Sequence, residues 1–143
     1  MTMPAAERLG LDLKRVETEL IAAKQAALKP LTVPQYAALF ALSDAPGISA
    51  AALARACLVT PQAMAVVLRN LEDRGLVERT PHPWHRNVLE TRLTAAGREA
   101  FETADRAAVA IERRLAEEFT SEERDQLRAL LARCSKALTA TDE

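Results

Sequence analysis

The stretch that decides the fold runs from Ile48 to Gly97 and reads ISAAALARACLVTPQAMAVVLRNLEDRGLVERTPHPWHRNVLETRLTAAG. Ser49 is a typical N-cap residue and predicts a short helix that breaks near Cys57. Thr60 predicts the start of a second helix, with Pro61 at the first helical position that proline favours. Apolar residues then recur at the spacing of one helix face, at Met64, Val67, Leu68 and Leu71. Two helices joined by so short a turn are typical of a helix-turn-helix.

A β-hairpin is predicted directly after the second helix. Gly75 follows the last apolar position and suits the left-handed conformation in which many helices end. Leu76–Arg79 and Val88–Leu93 are short segments that tolerate a strand. Residues 80–87 lie between them and contain two prolines, which exclude a helix. We therefore expect a hairpin with an extended tip.

Helices are predicted on both sides of this stretch. A long helix is expected from Ala5 to Leu28, because apolar residues recur there at steps of three and four until Pro30. Further helices are expected to begin at Thr32 with Gln35, at Thr94, and at Thr120 with Glu123, of which the first and last pairs are capping boxes. The predicted fold is mostly α with a small β-hairpin wing: a winged helix-turn-helix with N- and C-terminal helices.

The charge is distributed unevenly along the chain. The net charge of the 143 residues is -1, which by itself argues against a nucleic-acid ligand. Residues 48–98, however, carry seven arginines against four acidic residues, so this part alone is positive. Arginine suits phosphate contacts because its guanidinium is planar and always charged. The start MTMP does not resemble a signal peptide, and no apolar run reaches the length of a transmembrane helix, so we expect a cytoplasmic protein without a membrane partner.

The second helix of a helix-turn-helix enters the DNA major groove. If the apolar stripe is buried, the opposite face carries Gln62, Ala65, Val66, Arg69 and Asp73. Glutamine bonds adenine bidentately, and arginine reaches phosphate or guanine. Arg86, at the tip of the wing, suits a narrow minor groove. The alternative interpretation is a plain helical hairpin in a core, with Arg86 a solvated loop cation.

The sequence resembles the MarR (multiple antibiotic resistance regulator) family. The resemblance rests on LRNLEDRGLV at 68–77, on LTAAG at 93–97 and on the order of the flanking helices, and it covers nearly the whole chain. It implies one MarR-type domain over 1–143, with dimerisation helices at 5–30 and 95–138 that interlock and a winged DNA-binding region at 32–94. It also implies a homodimer that binds a pseudo-palindromic double-stranded operator, acting as a repressor relieved by a small aromatic effector.

Two departures from the family pattern bear on the DNA-binding site. His85 stands where family members often have an aspartate that orients the wing-tip arginine, and Val66 stands where they often have a basic or polar residue. Base recognition is therefore expected to depend more on the start of the helix. The predicted DNA-binding residues are Ser49, Thr60, Pro61, Gln62, Ala65, Val66, Arg69, His85 and Arg86.

Other functions receive less support from the sequence. It has no glycine-rich phosphate loop, nucleophile elbow or paired His-Glu helix motif, so we expect no enzyme and no cofactor. His82 and His85 lack acidic or cysteine neighbours, so no metal site is predicted, and Cys57 and Cys134 are interpreted as core residues rather than redox sensors. Tyr36 and Phe40 either line an effector cleft or belong to the ordinary core. The alternative function is a helical dimer that binds another protein and not DNA; the salt dependence of binding separates the two.

Overall fold

The computed structural model describes residues 1–140 and contains six α-helices and one two-stranded antiparallel sheet in that range. The helices are α1 Leu9–Ala27, α2 Val33–Asp44, α3 Ala50–Ala56, α4 Pro61–Asp73, α5 Ala95–Glu117 and α6 Ser121–Thr139. The strands are β1 Val77–Pro81 and β2 Leu89–Leu93. The predicted order of four helices, a hairpin and two helices is confirmed, and with it the mostly α fold with a small β-hairpin.

The predicted caps form because each needs only residues three positions apart. The Thr32 side chain accepts a hydrogen bond from the Gln35 backbone N–H (3.2 Å), and the Gln35 side chain accepts one from the Thr32 N–H (3.0 Å). Thr120 and Glu123 make the same reciprocal pair at the start of α6. Each pair satisfies two backbone donors that a helix start would otherwise leave unbonded.

Three features differ from the sequence prediction. The first helix begins at Leu9 rather than Ala5, because Arg8 is extended and its Nε donates to the Met3 carbonyl (2.8 Å), leaving only a 3₁₀ turn at Ala5–Glu7. The first strand continues to Pro81, which pairs with Leu89 at the end of the hairpin. Proline is tolerated at a strand end, where no donor is needed. Leu58 adopts a positive φ of 56° in the turn between α3 and α4, which the sequence did not indicate.

The core of the winged region lies between α2, α3 and α4. The predicted apolar stripe of α4 faces it: Met64, Leu68 and Leu71 are buried, and Val67 is half-buried against them. They pack with buried leucines of α2 and α3, namely Leu39, Leu42 and Leu53. Because this stripe fixes the rotation of α4 about its axis, it also fixes which residues of α4 face outward.

The chain forms two compact units, Met1–Ala108 and Val109–Glu143. Apolar side chains remain exposed in each. In α1 no residue is buried, and Leu9, Leu13 and Val16 are all exposed. In α6 no residue is buried either, and its exposed leucines are Leu127, Leu130, Leu131 and Leu138. Within residues 1–140 no single helix is long and apolar enough to cross a membrane; α3 and α4 pass that test only as a pair, and they are bent by 109°.

Candidate nucleic-acid interface

The outward face of α4 carries four of the nine residues that the sequence predicted for DNA contact. Gln62, Ala65, Val66 and Arg69 are all exposed, and Val66 is 53% accessible. Asp73 is exposed on the same helix, at its last residue. The face therefore begins with an amide and small apolar groups, which allow close approach to base edges, and carries a guanidinium two turns further on.

Two of the predicted DNA-binding residues, Thr60 and Ser49, also cap helices. The Thr60 Oγ1 accepts from the Ala63 N–H (3.1 Å), and the Ser49 Oγ accepts from the Ala52 N–H (3.2 Å). Each hydroxyl is thus held at its helix N-terminus with its own hydrogen still available as a donor. Thr60 and Pro61 are exposed, whereas Ser49 is half-buried. Loss of either cap costs about 1 kcal/mol in general, so substitutions here test stability as well as binding.

The wing is a regular hairpin with a defined tip. β1 and β2 pair in register from Val77 opposite Leu93 to Pro81 opposite Leu89. Beyond the last pair, the His82 N–H donates to the Val88 carbonyl (2.8 Å) and the Val88 N–H donates to the His85 carbonyl (2.8 Å). His85 and Arg86 are both exposed at this tip. The hairpin therefore projects Arg86 from an ordered turn.

The acidic residue nearest the tip of the wing, Glu90, is already paired. The Glu90 carboxylate lies 3.1 Å from the Arg92 guanidinium and 3.6 Å from the His82 Nε2. Arg86, four residues before Glu90 in the chain, has no ion pair to this carboxylate among those found in residues 1–140. The neutralisation of Glu90 leaves a positive tip, as approach to phosphates requires.

The base of the wing is locked to the start of α5. The Thr94 N–H donates to the Leu76 carbonyl (3.1 Å), and the Thr94 hydroxyl donates to the Gly75 carbonyl (2.6 Å) while accepting from the Gly97 N–H (3.0 Å). Gly97 lies so close to Leu76 that a Cβ there would be 1.8 Å from the Leu76 oxygen. Sequence reasoning missed this contact, although the LTAAG motif contains both Thr94 and Gly97.

A second tie joins the wing to the helix-turn-helix. The Gly47 N–H, in the turn before α3, donates to the Thr91 carbonyl of β2 (3.0 Å). The Thr91 side chain is fully buried, and its hydroxyl has no hydrogen-bond partner among residues 1–140. Wing, helix-turn-helix and the start of α5 thus form one hydrogen-bonded body.

An aromatic cluster occupies the place where the sequence suggested an effector cleft. Tyr36, Phe40 and Phe101 lie with ring centroids 6.1–6.2 Å apart. The Tyr36 hydroxyl donates to Asp105 (2.6 Å), Phe101 is buried and Phe40 is half-exposed. Two of the three rings thus pack into or against the core, and Phe40 offers the accessible surface.

A groove that sequence reasoning did not identify lies elsewhere in the first unit. Its volume is about 490 Å³, within the range of small-molecule sites. The floor is apolar, formed by side chains such as Leu28, Leu31 and Ala100, and the charged groups on its wall are Lys29, Arg74 and Glu99. The Arg74 guanidinium also donates to the Gln35 side chain (3.3 Å). No sequence signal marks this groove, because its walls come from the end of α1, the α4–β1 corner and α5.

The cysteines and histidines do not assemble into a reactive centre in residues 1–140. Burial raises the pKa of the Cys57 thiol, which lowers the fraction of reactive thiolate at neutral pH. Cys134 is half-buried and, like Cys57, is a free thiol. No group of three or more His, Cys, Asp or Glu side chains in the described range is placed to hold a metal ion.

Comparison with known proteins matches this sequence to one protein family. A MarR family model matches residues 29–86. The HTH-type transcriptional repressor Rv2887 of Mycobacterium tuberculosis is 39% identical over 125 residues, which cover 86% of this chain and 90% of that protein.

Solved structures agree in fold. The Mycobacterium tuberculosis MarR family protein Rv2887 in complex with p-aminosalicylic acid has a TM-score of 0.69 at 38% identity, covering 90% of this chain and 98% of that one. The transcriptional repressor CouR, bound to a 23-mer DNA duplex, has a TM-score of 0.83 at 28% identity, covering 94% and 99%. With a winged helix-turn-helix between long helices and a relative this similar over most of its length, the chain belongs to the MarR family of transcriptional regulators.

Proposed function

We propose that this protein is a homodimeric transcriptional repressor that binds double-stranded DNA with α4 in the major groove and the wing in the minor groove. The observation that carries the proposal is the division of α4 into two faces. Its apolar stripe is buried, and the side with Gln62, Ala65, Val66 and Arg69 is exposed. The relative Rv2887 is a repressor, and the structural neighbour CouR is bound to a DNA duplex.

Electrostatics supports the same assignment. The whole chain has a net charge of -1, but residues 48–98 hold seven arginines and four acidic residues. The ion pair between Glu90 and Arg92 leaves six arginines against three acidic residues in this segment. A local positive surface is enough for phosphate contacts, since the interaction with DNA is screened within about 10 Å at ordinary salt.

We propose that the dimer forms through residues 5–30 and 95–138, so that 32–94 remains free as the winged region of a single domain, 1–143. The support is the exposed apolar surface on α1 and α6, where no residue is buried in the isolated chain. Apolar faces of this kind are characteristic of obligate interfaces with two-fold symmetry. Two winged regions related by such an axis match a pseudo-palindromic operator.

We propose that a small aromatic acid relieves repression by binding the groove beside Lys29 and Arg74. The groove offers an apolar floor for a ring and, beside the one acidic residue Glu99, two cations for a carboxylate. The relative Rv2887 has been solved with p-aminosalicylic acid. Salicylate should therefore weaken DNA binding, and salicylamide, which lacks the carboxylate, should not. The variant Lys29→Met should respond less to salicylate; an unchanged response would exclude this groove and favour the Phe40 surface.

We assign no catalytic role to the protein, since its family consists of regulators. Its place of action follows from its ligand: the DNA of a bacterium is in the cytoplasm, so the regulator is proposed to act there.

A second candidate is a dimer that binds another protein and has lost DNA binding. The net negative charge and the exposed, apolar Val66 favour it. The test is selection of bound duplexes from random-sequence DNA, followed by affinity measurements over a range of salt. A DNA-binding dimer should yield a two-fold symmetric sequence and lose about 10³-fold or more in affinity between about 50 and 200 mM salt. Failure to enrich any sequence, with no affinity for duplex at low salt, would favour the protein-binding alternative.

A further inference from the structure

The tip of the wing exposes a large aromatic side chain that the proposed function has not used. Trp84 is 84% accessible and is the single tryptophan of the chain. Its indole is a large apolar surface, and such residues are enriched where a partner covers them. Exposure alone does not distinguish a side chain that contacts a partner from one that contacts none. The geometry of the surrounding turn shows whether the Trp84 indole is held in one place.

The backbone of the turn is held by one side chain. The His82 Nδ1 accepts hydrogen bonds from the Trp84 N–H (3.2 Å) and from the His85 N–H (3.2 Å). Nδ1 is bonded to Cγ, as the amide oxygen of asparagine is, so His82 closes the turn in the way an Asx turn does. Since Nδ1 acts as an acceptor, the ring proton is on Nε2, the atom that faces Glu90 at 3.6 Å.

Two further features restrict the position of the Trp84 side chain. Pro81 and Pro83 restrict the backbone dihedrals on either side of His82. The centroids of the His82 and Trp84 rings lie 5.8 Å apart, and the ring planes meet at an angle of 53°. Trp84 is thus attached to an ordered turn and presented to solvent, with Arg86 exposed two residues later.

We propose that Trp84 acts as an apolar wedge in the DNA minor groove beside Arg86, and that His82 is the residue that positions it. The inference rests on the proposed function, because it assumes that the wing approaches duplex DNA. An arginine is drawn to the negative potential of the minor groove, and apolar side chains inserted there unstack a base step. The pair of residues supplies both contributions from one turn.

This arrangement gives the wing a sequence preference of its own. Pyrimidine–purine steps unstack most easily, so the wedge favours TA or CA/TG at the position that the wing contacts. The preference is independent of hydrogen bonds from α4 to base edges.

The test uses the dimeric protein and a duplex of about 30 base pairs recovered by selection from random DNA, long enough for two half-sites one turn apart and their flanks. A second duplex carries AA in place of the flexible step at the wing position. Because Trp84 is the single tryptophan, its fluorescence reports the tip directly. We expect quenching and a shift to shorter wavelength on binding the first duplex.

The variants separate contact from positioning. Trp84→Ala should bind the selected duplex roughly tenfold more weakly and bind both duplexes nearly equally, while Trp84→Phe keeps most of the preference. His82→Asn preserves an acceptor attached to Cγ and should resemble the parent, whereas His82→Ala should resemble Trp84→Ala. The exposed position of Trp84 predicts that thermal unfolding of its variants matches the parent.

Contrary results fall into separable classes. If the parent binds the selected duplex with unchanged tryptophan emission and Trp84→Ala shows the parental preference, the wedge is wrong and the proposed function stands. If His82→Ala behaves as the parent while Trp84→Ala does not, the positioning role of His82 is wrong. If the parent binds no duplex, the inference and the proposed function both fail.

Discussion

Replacing Gly97 with alanine should destabilise the protein by separating α5 from the base of the wing. The added Cβ would lie 1.8 Å from the Leu76 carbonyl oxygen and 2.8 Å from the Leu76 carbonyl carbon. Overpacking of this kind typically costs about 1–3 kcal/mol, even after the surroundings relax. The oxygen has to move away, and it is the acceptor of the Thr94 N–H at 3.1 Å.

The same movement affects a second hydrogen bond. The Thr94 hydroxyl donates to the Gly75 carbonyl at 2.6 Å, and this carbonyl belongs to the residue before Leu76. Two hydrogen bonds of about 1 kcal/mol each, added to the strain, give an expected loss of about 3–5 kcal/mol. That is a large part of the stability of a typical small protein, about 5–15 kcal/mol.

Urea unfolding measures this loss, with parent and variant compared at one protomer concentration because a dimer's stability depends on concentration. Asn70→Ala is the control: Asn70 is exposed in α4, outside the helices proposed to form the dimer. A substitution at such a surface position should change the free energy of unfolding by about 0.5 kcal/mol or less. If Gly97→Ala unfolded at the same urea concentration as the parent, the close contact with Leu76 would be wrong.

Three further predictions concern the wing, its buried base and the dimer. Arg86→Ala should weaken DNA binding but change the free energy of unfolding by about 0.5 kcal/mol or less, since the side chain is exposed; parental affinity at matched salt would remove the wing from the interface. Thr91→Val should raise the free energy of unfolding in urea by about 1 kcal/mol, because the buried hydroxyl has no hydrogen-bond partner in residues 1–140. A lower free energy of unfolding would show that the hydroxyl does have a partner. Leu131→Glu, on the exposed apolar side of α6, should shift the protein from dimer to monomer in sedimentation velocity, and an unaffected dimer would place the interface elsewhere.

The sequence predicted the parts of the fold that depend on near neighbours. The caps at Thr32, Ser49 and Thr60 each involve residues three apart, and the stripe of α4 follows from helical periodicity. The same rules identified the exposed face of α4, which is the central part of the candidate site. The start of α1 was misplaced because Arg8 bonds to the Met3 carbonyl instead of extending the helix.

The contacts that the sequence could not predict join residues far apart in the chain or depend on one side-chain atom. Gly97 lies against Leu76, and the Gly47 N–H reaches Thr91, only because the wing folds back between two helices. The groove beside Lys29 and Arg74 likewise has walls from three separate segments. The role of the His82 Nδ1 depends on a tautomer and on a turn, neither of which residue types reveal.

The most direct test of the central claim, that the outward face of α4 reads DNA, compares Gln62→Ala and Arg69→Ala on a set of single-base variants of the selected operator at several salt concentrations. Gln62 lies in the first turn of α4, so its loss should relax the preference at one base pair per half-site by about 1–3 kcal/mol. Arg69→Ala should instead weaken binding to all sequences and reduce the salt slope by about one. If Gln62→Ala left every base preference unchanged, the exposed face of α4 would not be the surface that reads the operator.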